Sequence, residues 1–233
     1  MSEITSETHS VKVESEISPW LTPLTYSVLS HLVLPVYFGK IEIKGVEQVP
    51  REGAVILAPT HRSRWDPIIL AYAVGRSGTG RDIRYMVLQS QTKGIQGWFV
   101  RRLGGFPIDR DRPGTSSIRY SVDLLKQQKV LTLFPEGHII QDNEIRKIQP
   151  GVARIALQAI SDRPDLSLNI VPVSIYYQHL SPVPQGCKIW VNVGSPLNVR
   201  EYQQDSIKAA TKHLTEDLKT ALEALHQKPS DLE

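Results

Sequence analysis

The sequence predicts an α/β fold: a single domain with a mostly parallel central sheet flanked by helices, preceded by an N-terminal membrane-interfacial helix. Three observations carry this expectation. Short apolar runs of strand length alternate with segments whose apolar residues recur at helical spacing. Right-handed crossovers between such strands would bring their carboxyl ends to one edge of the sheet. The chain has 233 residues, 40% of them hydrophobic and 22% charged, enough for one domain with its own core.

Residues 1–16 are polar and contain four glutamates. They lack the basic start and apolar middle of a signal peptide, so a disordered tail on the cytosolic side is expected. Residues 17–40 are expected to form a membrane-associating helical segment. Ile17–Phe38 holds no Asp, Glu, Lys or Arg, but Pro19, Pro23 and Pro35 interrupt it. The uninterrupted part is too short to cross a bilayer core of about 30 Å. Leu24, Val28, Leu29, Leu32, Val33 and Val36 gather on one side, which suits an interfacial helix with Trp20, Tyr26 and Tyr37 at headgroup level. A helix packed on the protein's own core is the alternative.

The folded domain is expected over 41–228. Ile41–Val46 alternates like an exposed strand, Gly53–Ala58 reads as a buried parallel strand, and Pro67–Val74 reads as a short helix with proline at its first position. Arg76–Arg81 is a Gly/Ser loop. Ile83–Leu88 and Gly105–Ile108 are strands on either side of a helix over Ile95–Leu103, and Thr115–Gln128 is a helix whose face is marked by Ile118, Val122 and Leu125. Val130–Phe134 is a strand that delivers Pro135, Glu136 and Gly137 to the same edge as His61. A helix from Pro150 to about Ser161 follows. Two more strands span Leu168–Tyr177 and Lys188–Val193; Pro172 gives the first an edge position or a bulge. The last helix, about Asp205–Gln227, carries a packing stripe, with His213 and His226 read as surface residues. Cys187, the single cysteine, reads as packing.

The chemistry centres on Ala58–Asp66, A-P-T-H-R-S-R-W-D, where His61 and Asp66 follow a strand end. Ligands of open α/β sheets bind at that edge. A neutral imidazole there can take the proton of an alcohol attacking a carbonyl, with a carboxylate on the other ring nitrogen fixing the tautomer. Asp66 has a second reading, the N-cap of the following helix. Ser63 is a rival nucleophile, but no G-x-S-x-G surrounds it. As metal ligands, His61 and Asp66 lack a third partner nearby.

Three later segments occur in order behind H-x-x-x-x-D: Gly104–Arg110 (G-G-F-P-I-D-R), Leu133–Gly137 (L-F-P-E-G) and Ile170–Val173 (I-V-P-V). With these four blocks, the stretch from about Val46 to Val193 resembles the glycerolipid acyltransferase family, specifically the 1-acylglycerol-3-phosphate O-acyltransferases. The resemblance implies transfer of a fatty acyl group from acyl-CoA or acyl-ACP to a lysophospholipid, with no cofactor and no metal. It implies that His61 is the general base and Asp66 its orienting carboxylate, with Arg110 on the acceptor's phosphate. Glu136 and Gly137 would lie near the acceptor, and Pro172 matches the apolar fourth block. Arg64 is a second candidate for the phosphate. The family's third block continues Gly-Thr-Arg-Ser, whereas His138-Ile139-Ile140 follows Gly137 here, which leaves Arg146 or Lys147 to supply charge. Glu136 has two readings, a contact to an acceptor hydroxyl or a brace for backbone amides in its turn.

Residues 51–130 hold fourteen Lys and Arg against six Asp and Glu. Such a field attracts phosphate-bearing substrates, anionic headgroups or an acidic carrier protein. No nucleic-acid motif or aromatic-plus-basic stacking pattern accompanies it, so no nucleic acid is expected as a partner. The expectation is an acyltransferase at the cytoplasmic face of a membrane, peripheral or monotopic, that makes phosphatidic acid. Acylation of another lysolipid or amphiphile, or a catalytically silent lipid-binding protein of the same fold, are the alternatives.

Overall fold

A computed structural model describes residues 13–108, 115–180, 182–203, 206–230 and 232. The helices are α1 (Leu21–Val28), α2 (Leu34–Tyr37), α3 (Asp66–Val74), α4 (Arg76–Thr79), α5 (Gly94–Arg102), α6 (Thr115–Lys126), α7 (Gly151–Asp162) and α8 (Ile207–Leu225). The strands are β1 (Lys40–Lys44), β2 (Ala54–Pro59), β3 (Ile83–Leu88), β4 (Gly105–Ile108), β5 (Val130–Thr132), β6 (Leu168–Tyr177), β7 (Lys188–Val193) and β8 (Leu197–Asn198). They form one sheet in the order β1-β7-β6-β2-β5-β3-β4, with β8 also paired to β6. Strands β4, β3, β5, β2 and β6 run the same way, while β7 and β8 are antiparallel to β6. The sheet is therefore mostly parallel, and β2, β5 and β6 bring their carboxyl ends together.

Strand β2 shows why its apolar run is continuous. Ala54, Ile56 and Ala58 pack into a core shared with α6, α7 and α8, whereas Val55 and Leu57 face a second core with α2 and α3. A parallel strand covered on both faces has no solvent side to make polar.

Pro172 is a correction. It lies in β6, which is an interior strand, and no bulge is needed to hold it there. On one side its backbone pairs in register with Ala58. On the other side β8 pairs with Asn169 and Ile170, and β7 begins its pairing at Val173. Proline's missing donor thus falls in the gap between two partner strands, and its carbonyl still accepts from the Gly194 amide at 2.9 Å.

Arg76–Thr79 forms the short helix α4 where a loop was expected; the Thr79 hydroxyl donates to the Val74 carbonyl at 3.0 Å and closes the turn. Residues 1–12 of the expected disordered tail lie outside the described residues. Residues 13–16 are tied to the body: the Ser15 amide donates to the Tyr120 hydroxyl at 2.8 Å, and the Glu16 amide donates to the Arg101 carbonyl at 2.9 Å.

The N-terminal segment is helical from Leu21 to Tyr37, with a π-type turn over Leu29–Val33 between α1 and α2. No helix among the described residues is long and apolar enough to cross a membrane. Leu21, Leu34 and Phe38 are buried, while Trp20, Leu24, Val28, Leu32 and Val36 are exposed at a four-residue spacing. Tyr37 departs from the headgroup position expected of it. Its ring packs on Phe38 and Trp65 at 4.9 and 4.7 Å, and its hydroxyl donates to the Val183 carbonyl at 3.0 Å. Tyr26 is also turned inward, against Gly75, where burial raises its phenol above the ordinary value.

His226 is a further correction. It follows α8 into the interior, where its Nδ1 lies 2.8 Å from the Ser174 hydroxyl and its ring packs against Tyr176. Burial first, and the Arg62 charge second, hold its imidazole down at about 3. Unfolding releases it to an ordinary value of about 6.5, so the unfolded chain binds the extra proton between those limits. The stability it contributes is complete above about pH 6.5 and is lost as the pH falls toward 3. At pH 5 the loss attributable to His226 is about 2 kcal/mol. Urea unfolding of wild type and His226→Gln at pH 7 and pH 5 checks this: the variant is expected to lose less on acidification, by about that amount.

Candidate active site

Strand β2 ends at Pro59, and Thr60 fastens the chain beyond it to β6. The Thr60 amide donates to the Val173 carbonyl at 3.0 Å, and its hydroxyl oxygen accepts from the Ile175 amide at 2.9 Å. This clamp holds the next residue, His61, at the sheet edge.

The His61 ring has Nδ1 at 2.8 Å from Oδ2 of Asp66. Phe134, from the segment after β5, stacks on the other side of the imidazole, 4.0 Å between centroids. The side chain is 18% exposed. With Nδ1–H donating to the carboxylate, Nε2 carries the lone pair and is the acceptor for a proton.

Asp66 is fully buried at the first position of α3, next to Pro67, and makes no cap hydrogen bond inside that helix. Its carboxylate turns back onto the preceding turn instead. Besides the His61 ring, Oδ2 accepts from the backbone amides of Arg62 and Ser63 at 2.6 and 2.8 Å. Oδ1 accepts from the Tyr177 hydroxyl at 2.7 Å. The turn between His61 and Asp66 is therefore closed by the carboxylate itself.

Glu136 braces backbone, but that of the distant His61 turn and not of its own turn. It has no exposed surface, and its Oε2 accepts from the His61 amide at 2.8 Å and from Arg62 Nη1 at 2.7 Å. A carboxylate so enclosed braces the His61 backbone and is out of reach of a substrate in this arrangement. Arg62 extends the brace: Nη2 donates to the Glu144 carbonyl at 3.0 Å. The Ile140 amide donates to the His61 carbonyl at 2.8 Å, so the altered part of the third block lies directly on the His61–Asp66 turn.

The remaining candidates separate by position. Arg64 is exposed on the same turn and makes no hydrogen bond or ion pair with the described residues. Gly137 is exposed with φ +76°, the left-handed conformation that lets the chain turn after Glu136. Arg110 lies outside the described residues. Pro172 is buried within β6, its ring facing Gly194, and does not reach an open surface. Arg146 is paired with Asp142 at the surface, and Lys147 is exposed. The Ser63 hydroxyl accepts from the Trp65 amide at 3.3 Å and makes no hydrogen bond with the His61 ring.

Sequence reasoning missed Arg62, Phe134 and Tyr177. Phe134 stood inside a quoted motif, yet only the fold lays it on the imidazole. Arg62 and Tyr177 each meet a partner far away along the chain, and no local pattern marks either.

Chemically, the arrangement offers an oriented imidazole backed by a buried carboxylate, at the edge of a sheet and on the same turn as the exposed Arg64. Those are the parts of a general base that activates a hydroxyl next to an anionic group.

Residues 40–176 match the family model described as Acyltransferase. The chain is 27% identical over 187 residues to a 1-acyl-sn-glycerol-3-phosphate acyltransferase of Streptococcus pneumoniae, an alignment covering 77% of this chain and 65% of that protein. It is 26% identical over 199 residues to a protein of the same name from Bacillus subtilis, covering 83% of this chain and 92% of the relative. In fold it is similar to the crystal structure of the 1-acyl-sn-glycerophosphate (LPA) acyltransferase of Thermotoga maritima. The TM-score is 0.62 at 17% identity, over 89% of this chain and 79% of that one.

Proposed function

The chain belongs to the acyltransferase family, and on that premise we propose that it acylates the free sn-2 hydroxyl of 1-acylglycerol-3-phosphate, giving phosphatidic acid for phospholipid biosynthesis. The observation that carries the reading is the His61–Asp66 contact of 2.8 Å at the end of β2. His61 Nε2 takes the hydroxyl proton as that oxygen attacks the thioester carbonyl of acyl-CoA or acyl-ACP. The carbon–sulfur bond then breaks, and the departing thiolate recovers the proton from the imidazolium. Asp66 holds the ring and stabilises its charged form. Arg64, exposed three residues from His61, takes the acceptor's phosphate together with Arg110. The names of the bacterial relatives support the choice of acceptor.

The enzyme works at a membrane surface, on its cytoplasmic face. Supporting this, Trp20, Leu24, Val28, Leu32 and Val36 expose one apolar stripe, and Ile95, Trp98 and Phe99 on α5 are exposed as well. Apolar side chains beside basic ones suit an anionic leaflet; Arg102 lies over the Trp98 ring at 4.7 Å.

The altered third block, His138-Ile139-Ile140, favours one rival, a different lysolipid acceptor. Labelled acyl thioester offered with a panel of lysolipids, with products separated by thin-layer chromatography, decides between them. Phosphatidic acid is expected as the main product. A preferred product with another head group moves the acceptor, and no product with any lysolipid overturns the reading. In a flotation assay with anionic vesicles, Leu32→Asp is expected to lower the membrane-bound fraction about tenfold or more, and unchanged flotation would contradict the membrane role.

A further inference from the structure

We propose that Tyr177 is a positioning residue for the His61–Asp66 pair, its hydroxyl setting how strongly the buried carboxylate holds the imidazole. The proposal rests on the reading of His61 as the general base.

Tyr177 closes β6, and its hydroxyl donates to Oδ1 of Asp66 at 2.7 Å. The other oxygen, Oδ2, already receives the His61 ring and two backbone amides. Tyr177 and Asp66 are both fully buried, so neither touches a substrate. In a site closed to water, each donor draws negative charge away from the carboxylate. Without the phenol, Oδ1 is left unpaired and more charge rests on Oδ2, which favours the imidazolium more strongly. A better donor does the opposite. The phenol thus tempers Asp66, keeping His61 from holding its proton too tightly to return it to the leaving thiolate.

The charged and titratable neighbours come from several elements. Arg62 and Arg64 share the turn with His61, Glu136 arrives after β5 and is paired with Arg62, and Cys187 stands just before β7. His226, after α8, is buried and feels the Arg62 charge. Among them Tyr177 is the group that donates to Oδ1. Burial first, and Asp66 second, keep its phenol well above the ordinary tyrosine value, so it stays a donor throughout the working range.

The test is titration of the His61 ring by NMR on the full chain, beside the pH profile of kcat/KM. In Tyr177→Phe the apparent pKa of His61 is expected to rise by about half a unit to one unit. With 3-fluorotyrosine at position 177, a stronger donor of nearly the same shape, it is expected to fall. For Tyr177→Phe, kcat is expected to drop about 3- to 30-fold while KM for the acceptor stays within about twofold. A purely structural role would lower stability and leave the titration where it was. An unmoved His61 titration with fluorotyrosine overturns the proposal, and that arm decides alone when Tyr177→Phe does not fold. The ring titration needs no turnover: if it moves as expected while no lysolipid is acylated, the failure lies with the proposed function.

Discussion

Glu136→Ala is expected to destabilise the protein by about 3–5 kcal/mol and to suppress acyl transfer with it. The Arg62 and Glu136 side chains are both fully buried and 2.7 Å apart, so truncating one leaves the other charged and uncompensated inside the protein. Replacing both, as in Arg62→Met with Glu136→Leu, removes the two charges together and is expected to recover most of the stability. Activity is expected to stay low in the double variant, because the His61 amide has still lost its acceptor on Glu136. Chemical denaturation and turnover measured on the same three proteins check this. Recovery of both properties together would make the pair a folding element with no bearing on the site.

That brace marks a boundary in what the amino-acid sequence discloses. His61 and Asp66 are legible because they stand five positions apart on one turn, and a strand end, a proline and a helix start frame them. The central strand is legible for a similar reason: a parallel strand with two covered faces must be apolar throughout, and β2 is. Arg62 and Glu136 are 74 residues apart, Asp66 and Tyr177 are 111, and Ser174 and His226 are 52. Each of these contacts exists only because sheet order and helix docking bring distant segments together.

Two rules of local reading were overridden by tertiary structure. A proline in a strand signals an edge because it cannot donate to a neighbour, yet Pro172 sits where the neighbouring edge itself is split between β7 and β8. A histidine at the end of an amphipathic helix reads as solvated, yet α8 stops where the chain turns His226 inward onto Ser174 and Tyr176. The N-terminal helix divides along similar lines. Its exposed stripe follows from four-residue spacing, whereas the inward placement of Tyr26 and Tyr37 depends on Gly75, Trp65 and Val183, which belong to other elements.

The largest effect on chemistry is expected at His61. Among the described residues the His61 imidazole joins a backed Nδ1 to an Nε2 with no partner, and its loss leaves the acceptor hydroxyl with no base. General base catalysis of this kind contributes about 10²- to 10⁴-fold. The Ser63 hydroxyl accepts from the Trp65 amide at 3.3 Å instead of meeting the ring, so it has no such part to lose. The most direct measurement is kcat/KM for phosphatidic acid formation by His61→Ala beside Ser63→Ala, with lipid binding followed in parallel. The proposed mechanism predicts a fall of about 10²- to 10⁴-fold for His61→Ala with binding retained, and a change within about tenfold for Ser63→Ala. Near-normal turnover by His61→Ala, or a matching collapse in Ser63→Ala with acyl label left on the wild-type protein, would contradict it.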